Sequence, residues 1–147
     1  MSQSRLILSA ASLLAAILLA VAAAIVAAHS AVSADSGALL KLKPDTHDFG
    51  QVTATKDSAP LIVTVTNKSS SAVTFTSIIA AETFSIQSDK CSGTPLGPSK
   101  SCKVEVVFHP MVTGKVNAPN GLTFTDSAQN SPQQVQLEGQ GTVGSFL

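Results

Sequence analysis

The chain has 147 residues, of which 44% are hydrophobic, 12% are charged and 4% are aromatic, and its formal net charge at pH 7 is +0. Without a basic excess, the chain offers no electrostatic surface for nucleic acid or for an anionic membrane. Trp and Tyr are absent, and Ser, Thr, Gly and Pro are frequent after an apolar start. This composition favours one domain of short strands joined by turns over a helical bundle.

The N-terminal segment is predicted to be a secretory signal peptide that spans residues 1–34 and contains an apolar signal helix. Residues 6–28 are apolar apart from two serines, and Arg5 supplies a positive charge before them. A charged start, an apolar stretch and then small residues are typical of a signal peptide. Small residues at the expected recognition positions place the cleavage between Ala34 and Asp35.

An uncleaved membrane anchor is the alternative, because residues 6–28 are numerous enough to cross about 30 Å of hydrocarbon. The run is rich in Ala and no basic stop-transfer cluster follows it, which favours cleavage. Either way, the rest of the chain is expected outside the cytoplasm, as a secreted, periplasmic or cell-surface protein. A membrane would then be a partner only if the leader is retained.

Alternating apolar and polar residues dominate the remaining sequence. A period of two predicts strands with one buried and one wet face, separated here by frequent Gly, Pro and Asn turns. About seven such strands predict an all-β, immunoglobulin-like antiparallel β-sandwich over residues 45–141. Residues 35–44 are expected to be a short linker and residues 142–147 a C-terminal tail. The predicted strands cover residues 61–66, 73–76, 84–86, 103–108, 122–124 and 135–137, with further turns at 43–45 and 120–121.

The phenylalanines and one apolar face supply the candidate core. Val104, Val106 and Phe108 alternate with charged residues, so they are predicted to point inward while Glu105 points outward. Five phenylalanines spread over separate segments are enough to fill the space between two sheets. They are Phe49, Phe75, Phe84, Phe108 and Phe124.

The two cysteines, Cys91 and Cys102, are predicted to form a disulfide, because an even number of cysteines in an exported chain favours pairing. Closing this loop would contribute about 3 kcal/mol in the chain-entropy model. A metal site that combines these thiols with His47 and His109 is the alternative. The sequence lacks the C-x-x-C and H-x-x-x-H spacings of such sites, which favours the disulfide.

Catalytic motifs are absent from the sequence. There is no G-x-S-x-G elbow, no H-E-x-x-H and no phosphate-binding glycine loop, so we predict that the chain is not an enzyme and uses no cofactor. Asp45 and Asp48 flank His47 and could orient its imidazole for catalysis. The simpler interpretation is a turn with solvated carboxylates.

A copper site is the second chemical hypothesis. His109 and Met111 are two residues apart, and exported carriers hold Cu(I) with such ligands. Further Met or His ligands are needed, and Met111 is the only methionine after the leader. The simpler interpretation is that a buried strand ends at Phe108 and that His109 faces water.

A glycosylation acceptor sequence is also present. Asn67-Lys68-Ser69 matches it in an expected exposed turn, which would matter only in a eukaryotic host.

Several ordered segments together resemble a known family of domains. They include Asp48 to Val52, Cys91 through Leu96-Gly97-Pro98 to Cys102, Phe108-His109-Pro110, Leu122 to Asp126 and the terminal Leu137 to Gly141. Over about residues 45–141 the chain is similar to one repeat of the Hydin and abnormal-spindle (ASH) group. The two cysteines and the leader resemble its bacterial exported branch, which includes proteins labelled choice-of-anchor D.

The resemblance implies an immunoglobulin-like sandwich that acts as a non-enzymatic binding or structural module of the cell envelope or surface. The expected partner is a protein or a carbohydrate. Residues 61–66 and 122–125 are the candidate edge strands for pairing with a partner strand. An envelope copper carrier or small enzyme that uses His47, His109 or Met111 remains the alternative.

Overall fold

The computed structural model describes residues 39–144, which form an all-β immunoglobulin-like sandwich, as predicted. The leader, with its proposed helix and the cleavage position at Ala34 and Asp35, lies outside the described residues. The two four-stranded sheets have the orders β1-β3-β6-β5 and β2-β8-β7-β4. The eight strands are β1 (Leu40–Lys43), β2 (Thr46–Thr53), β3 (Leu61–Asn67), β4 (Phe75–Ala80), β5 (Phe84–Asp89), β6 (Ser101–Phe108), β7 (Gly114–Asp126) and β8 (Gln133–Thr142).

One strand pair departs from the predicted antiparallel arrangement. β2 runs parallel to β8, with Thr46 opposite Gln136 and Thr53 opposite Thr142. The cause is a change of sheet: after β1, the chain crosses at Pro44 and Asp45 and enters the second sheet as β2. The second sheet is therefore mixed, while the first is antiparallel throughout.

The predicted linker over residues 35–44 contains a strand. Residues 40–43 form β1 and pair with residues 64–67 of β3. Leu40 is buried, and Leu42 packs partly buried against the core, while the two lysines between and after them are exposed. At the other end, β8 continues to Thr142, so the sandwich occupies residues 40–142 rather than 45–141.

The predicted turn at residues 120–121 lies inside the long strand β7. The ladder between β7 and β8 is interrupted between Ala118 and Leu122, so the Asn-Gly pair forms part of an irregularity within the strand. A Cβ atom on Gly121 would lie 2.5 Å from the Cβ of Leu137. Glycine is needed here because the backbone passes directly over a buried side chain.

The core lies between the two sheets. Val104, Val106 and Phe108 are fully buried, which confirms the predicted inward face of β6. The ring centroids of Phe84 and Phe108 are 5.2 Å apart, and Phe49 lies partly buried beside both. Gly139 permits this packing, since a Cβ there would lie 2.7 Å from a ring carbon of Phe108.

One end of the sandwich, here called the disulfide end, contains the connection between β5 and β6. Cys91 and Cys102, the predicted pair, are joined with an Sγ–Sγ distance of 2.07 Å and a Cα–Cα distance of 5.1 Å. Both are buried, and Val65 on β3 lies opposite Cys102 in the ladder. The disulfide therefore links the end of β5 to the start of β6 within one sheet.

Asn67 organises the same end from inside. Its side chain is fully buried, and its Nδ2 donates to the carbonyl oxygens of Ser71 (2.7 Å) and Leu96 (2.9 Å). Its Oδ1 accepts from both the backbone N–H and the hydroxyl of Ser69. The expected exposed glycosylation site is therefore wrong, because this amide has no solvent access and all its groups are used.

The opposite end, here called the His109 end, is formed by residues 53–61, 80–84 and 108–114 together with the end of β8. The backbone N–H of Thr55 donates to the carbonyl of Pro110 over 2.7 Å, and that of Ala54 donates to Thr142 over 2.8 Å. Met111, Val112 and Val143 are exposed. Within residues 39–144, no helix is long and apolar enough to cross a membrane.

Candidate functional site

The sheet orders decide which strands offer a free edge. β7 lies between β8 and β4, so the expectation that residues 122–125 form an edge strand is wrong. β3 lies between β1 and β6, but β1 pairs only with residues 64–67. In the described part of the chain, residues 61–63 therefore have β6 on one side and no strand on the other, so only the first half of the predicted edge is free.

The gap arises because the chain leaves the first sheet at Pro44. If β1 continued in register, Asp45 would lie opposite residue 62, but Asp45 turns instead toward β8, where its carbonyl accepts from the backbone N–H of Gln136 over 2.9 Å. We call the space beside residues 61–63 the notch. A short piece of sheet edge is thus left open by the sheet change of the N-terminal strands.

Ile62 directs its main-chain groups into the notch. The backbone N–H of Lys68 donates across the β1 side to Leu39, whereas that of Asn67 donates across the β6 side to Lys100. Successive residues of an antiparallel strand bond to opposite sides. Counting back along β3 from Lys68, the N–H and C=O of Ile62 face the β1 side, where β1 itself has already ended at Lys43.

A groove of about 490 Å³ lies beside the notch. β2 forms one wall, and the segment that leads into β3 forms the other. Most of its side chains are apolar, with one imidazole, one carboxylate and one hydroxyl among them. The lining residues are His47, Asp48, Phe49, Ser58, Ala59, Pro60, Leu61 and Ile62.

Phe49 forms the fixed part of this groove. Its ring centroid lies 6.0 Å from that of Phe108 and 5.8 Å from that of Phe84, so the core holds it in place. The imidazole of His47 meets the ring of Phe49 edge-on, with centroids 4.7 Å apart. The Oδ1 of Asp48 accepts from the backbone N–H of Gly50, at the bulge in β2, over 2.8 Å.

Gly50 makes the bulge in β2 possible. Its φ of +67° lies in the left-handed region, which residues with a β-carbon rarely adopt. The ladder to β8 shifts between Asp48 and Gln51 at this point. The bulge therefore accounts for the role of the Asp48 carboxylate, which binds its own backbone turn.

The second predicted histidine, His109, lies on the other sheet at the end of β6. Its Nδ1 lies 2.6 Å from the Oδ1 of Asp57, and its backbone N–H donates to Thr83. The two side chains are 39% and 57% exposed, so the pair is largely in water. The sequence carries no pattern that predicts Asp57 as a partner, because 52 residues separate the two.

The candidate metal ligands do not converge in the described structure. Across residues 39–144, no group of three or more His, Cys, Asp or Glu side chains could hold a metal ion. Cys91 and Cys102 form the disulfide, His47 belongs to β2 and His109 follows β6. Met111 is 65% exposed. The proposed thiol and histidine metal site is therefore not assembled.

Two carboxyl groups with shifted pKa values lie at the disulfide end, away from the groove. Burial raises the pKa of Asp89, but hydrogen bonds from the Ser92 side chain and from the backbone N–H groups of Cys91 and Ser92 together lower it below its usual value. Burial raises the pKa of Asp126, and hydrogen bonds from Ala128 and Gln133 only partly oppose this. Burial and the hydrogen bonds of the loops at this end therefore account for both pKa shifts.

Solved structures of low sequence identity share the fold. A protein of unknown function from Porphyromonas gingivalis matches with a TM-score of 0.59 and 13% identity, over 76% of this chain and 50% of that one. The ASH/PapD-like domain 7 of human CEP192 matches with a TM-score of 0.57 and 15% identity, over 74% and 89% of the two chains. No curated protein matches the sequence closely enough to show a relationship.

The VesB protease of Vibrio cholerae matches with a TM-score of 0.54 and 18% identity, over 71% of this chain and 32% of the protease. The chain thus spans half of the Porphyromonas protein and about a third of VesB. At these identities the structural likeness shows the fold alone. Residues 38–140, well over half of the chain, match the family model itself. The chain therefore belongs to the HYDIN/CFA65/VesB-like family of Ig-like domains.

Proposed function

We propose that the chain is an exported, non-enzymatic binding module that takes up an extended segment of a partner protein in the notch. The observation that supports this most directly is that β1 pairs only with residues 64–67 of β3, so that no strand within residues 39–144 lies beside the main-chain groups of Ile62. In strand addition, main-chain hydrogen bonds supply affinity and side-chain pockets supply specificity. The notch offers main-chain hydrogen bonds, and the groove beside it offers a side-chain pocket.

The groove indicates what kind of segment fits. An incoming strand that continues the line of β1 would run antiparallel to β3 and exchange hydrogen bonds with Ile62. An apolar side chain of that strand would lie against Phe49, Pro60 and Leu61. Asp48 is the one acidic residue of the lining and favours a basic residue beside the apolar one. A carbohydrate fits less well, because the chain has no Trp or Tyr on which a sugar ring would stack.

Export is supported by the leader pattern and by the disulfide, since disulfides persist in oxidising compartments. The structural similarity to part of the secreted serine protease VesC of Vibrio cholerae is in keeping with this placement. The absence of catalysis is supported by the surroundings of the histidines: His47 packs on a phenylalanine ring, and His109 meets a carboxylate rather than a hydroxyl or thiol nucleophile.

Photo-cross-linking in the native host tests the binding site. A photoreactive residue in place of Ile62 should yield one discrete adduct with a partner protein, since Ile62 is half-exposed at the notch. The same residue in place of Val112, which is 75% exposed at the His109 end, is the control. Equal adducts from both positions, or none from Ile62, would contradict the proposal.

Two matched substitutions test main-chain pairing. Ile62→Pro removes the N–H that faces the notch but none that bonds to β6, whereas Ile62→Thr keeps that N–H and also shortens the side chain. We expect the proline variant to lose the partner and the threonine variant to retain it, with thermal melts verifying that both fold. If threonine abolished binding as completely as proline, the side chain rather than the backbone would be the recognised group.

Export has its own test. N-terminal sequencing should find a mature chain that begins at Asp35, and carbonate extraction should release it from the membrane fraction. A chain that retained Arg5 and stayed with the membrane would show that residues 6–28 are an anchor.

A further inference from the structure

The four edge strands differ in how they are protected against pairing. β1 carries Lys41 and Lys43, β2 carries Asp48 and a bulge, and β5 carries Asp89. Charges, prolines and bulges are the usual means by which sheet edges avoid other strands. β4 (Phe75–Ala80) contains neither a charged residue nor a proline. Its one irregularity lies at its start, between Phe75 and Ser77, so the rest of the edge is regular.

β1 also has a dedicated cover that β4 lacks. The backbone N–H of Leu40 donates to the Oδ1 of Asn130 over 3.1 Å, and the Nδ2 of Asn130 donates to the carbonyl of Leu40 over 3.0 Å. One amide side chain thus takes both main-chain groups of an edge residue. Among residues 39–144, an asparagine therefore blocks one edge, and no residue bonds to the outer side of the regular part of β4.

The free groups of β4 can be assigned from its ladder. The backbone N–H of Ala81 donates to Gly121 over 2.9 Å, which places Ala81 and, two residues earlier, Ile79 on the β7 side. Ile78 and Ala80 consequently direct their N–H and C=O groups away from the sheet. Four main-chain groups in a regular stretch are available to another strand.

Ile79 adds an exposed apolar side chain to this edge. It is 62% exposed, whereas Ile78 and Ala80 face the core. Its neighbours across the outer sheet face are Thr123 on β7 and then Gln134 on β8, so the nearest positions are polar. Nothing in its own sheet covers this side chain.

We propose that two copies of this chain associate through β4, antiparallel about a two-fold axis, with Ile79 opposite Ile79 of the second copy. Ile78 of each copy then exchanges hydrogen bonds with Ala80 of the other, and the two four-stranded sheets join into one of eight strands. Residues that lie opposite each other without exchanging hydrogen bonds have their Cα atoms only about 4.5 Å apart. The two isoleucines therefore cover each other.

A second copy is favoured over another partner because of charge. A two-fold axis through a strand pair places the two copies of the central residue opposite each other and repeats every charge of one strand on the other, so a charged strand repels its own copy. A foreign strand can carry the opposite charge, but a second copy cannot. β4 is the edge that satisfies this condition, since β1, β2 and β5 all carry charges.

Disulfide trapping of the full chain in its host tests the proposal. The two native cysteines form the Cys91–Cys102 bond, so Ile79→Cys introduces the one free thiol. Cα atoms about 4.5 Å apart lie within disulfide range. We expect a covalent dimer on a non-reducing gel from Ile79→Cys and none from Val112→Cys, whose side chain is more exposed. A monomeric Ile79→Cys chain, or equal trapping at both positions, would overturn the proposal.

Charge variants provide an independent measurement. Ile79→Lys and Ile79→Glu each place like charges opposite one another, so each should associate at least about tenfold more weakly than the natural chain by sedimentation. Mixing them should restore the dimer as a Lys–Glu heterodimer. Unweakened association of either variant, or failure of the mixture to recover, would overturn the proposal. Cross-linking from Ile62 is unaffected by these changes, so the two proposals fail separately.

Discussion

The two ends of the sandwich use polar residues in opposite ways. At the disulfide end, Asn67 is fully buried and bonds to carbonyls of two other segments, and a covalent bond lies nearby. At the His109 end, the polar pair of His109 and Asp57 is largely exposed, and apolar side chains such as Val112 face water. A buried amide whose bonds are all made holds its loops in one arrangement, whereas an exposed ion pair adds little.

The two ends should differ in how well they tolerate substitutions. The disulfide end replaces a regular ladder with side-chain bonds, so its loops depend on single residues. The His109 end is held mainly by the buried ring of Phe108 and by backbone hydrogen bonds, such as that from the N–H of Ser58 to the carbonyl of Phe108. Substitutions should therefore cost far more at the first end than on the surface of the second.

The largest expected effect belongs to the core residue beneath the His109 end. Phe108→Ala removes a fully buried ring that packs against Phe49 and Phe84, so the free energy of unfolding should fall by about 3 to 5 kcal/mol. Glu105→Ala, on the other face of the same strand, should change it by no more than about 0.5 kcal/mol. Denaturant melts measure both, and equal losses would contradict the inward face assigned to β6.

Asn67→Ala should be the most damaging polar substitution. The amide group disappears, which leaves the buried carbonyl of Leu96 and the hydroxyl of Ser69 without this partner, so a loss of about 3 kcal/mol is expected. Asn130→Ala, which removes an exposed side chain with two partly buried bonds to Leu40, is the milder comparison at the same end. An Asn67 variant as stable as the Asn130 variant would show that the burial of Asn67 does not make its loss more costly.

Removal of the disulfide should cost about 3 kcal/mol in the chain-entropy model. The Cys91→Ser/Cys102→Ser double variant and the reduced natural chain should lose similar stability, since both open the same loop. Thiol titration of the denatured, unreduced protein should detect no free thiol. Two reactive thiols per chain would contradict the bond itself.

A smaller gain is expected from Asp126→Asn. Burial disfavours the charged form of Asp126, whose Oδ2 has no hydrogen-bond partner within residues 39–144, and an asparagine in its place carries no charge to desolvate. We expect stabilisation at neutral pH by about 0.5 to 1 kcal/mol, because the carboxyl is only partly buried. Urea melts at pH 7 measure this change, and destabilisation would contradict it.

The pH dependence provides the sharper test at the same position. Because the pKa of Asp126 is raised in the folded state, the folded chain binds its proton more tightly than the unfolded chain. This contribution to stability is present at low pH and is lost as the pH rises through the raised pKa. The Asn variant should lack it. The pKa of Asp89 is lowered in the folded state, so the sign is reversed. Its contribution to stability is present at neutral pH and is lost as the pH falls through the lowered pKa.

The smallest effect should come from the ion pair at the His109 end. Asp57→Ala removes the carboxylate beside His109. Both groups are largely solvated, so the free energy of unfolding should change by no more than about 0.5 kcal/mol. Asp57→Asn, which keeps an acceptor oxygen, is the matched control. A loss comparable with that of Asn67→Ala would remove the contrast between the two ends.

Alternation in the sequence was sufficient to predict the fold class and the buried face of several strands. Val104, Val106 and Phe108 followed from period two alone, because side-chain direction in a strand is a local property. The same reasoning overlooked β1, whose Leu-Lys-Leu-Lys stretch is only four residues long. It also assigned a turn to the Asn-Gly pair inside β7, where contact with Leu137 decides the conformation.

The candidate binding surfaces depended on strand order, which local patterns do not contain. The strand at residues 122–125 has the same alternation as an edge strand, yet two neighbours cover it. The notch exists because β1 ends at Lys43 and the chain changes sheet, and the β4 edge is open because none of the strands within residues 39–144 pairs beyond it. Asn67 likewise matched an exposed acceptor sequence but lies inside.

The amino-acid sequence by itself therefore determined the β-sandwich, its core face, the leader pattern and the family resemblance, since each depends on residues close together in the chain. The tertiary structure alone decided which edges stay open, that His109 meets Asp57 and that Asn67 is buried. These features arise from contacts between distant segments. A strand's neighbours are set by which long-range pairings bury the most apolar surface together, and no single segment specifies that choice.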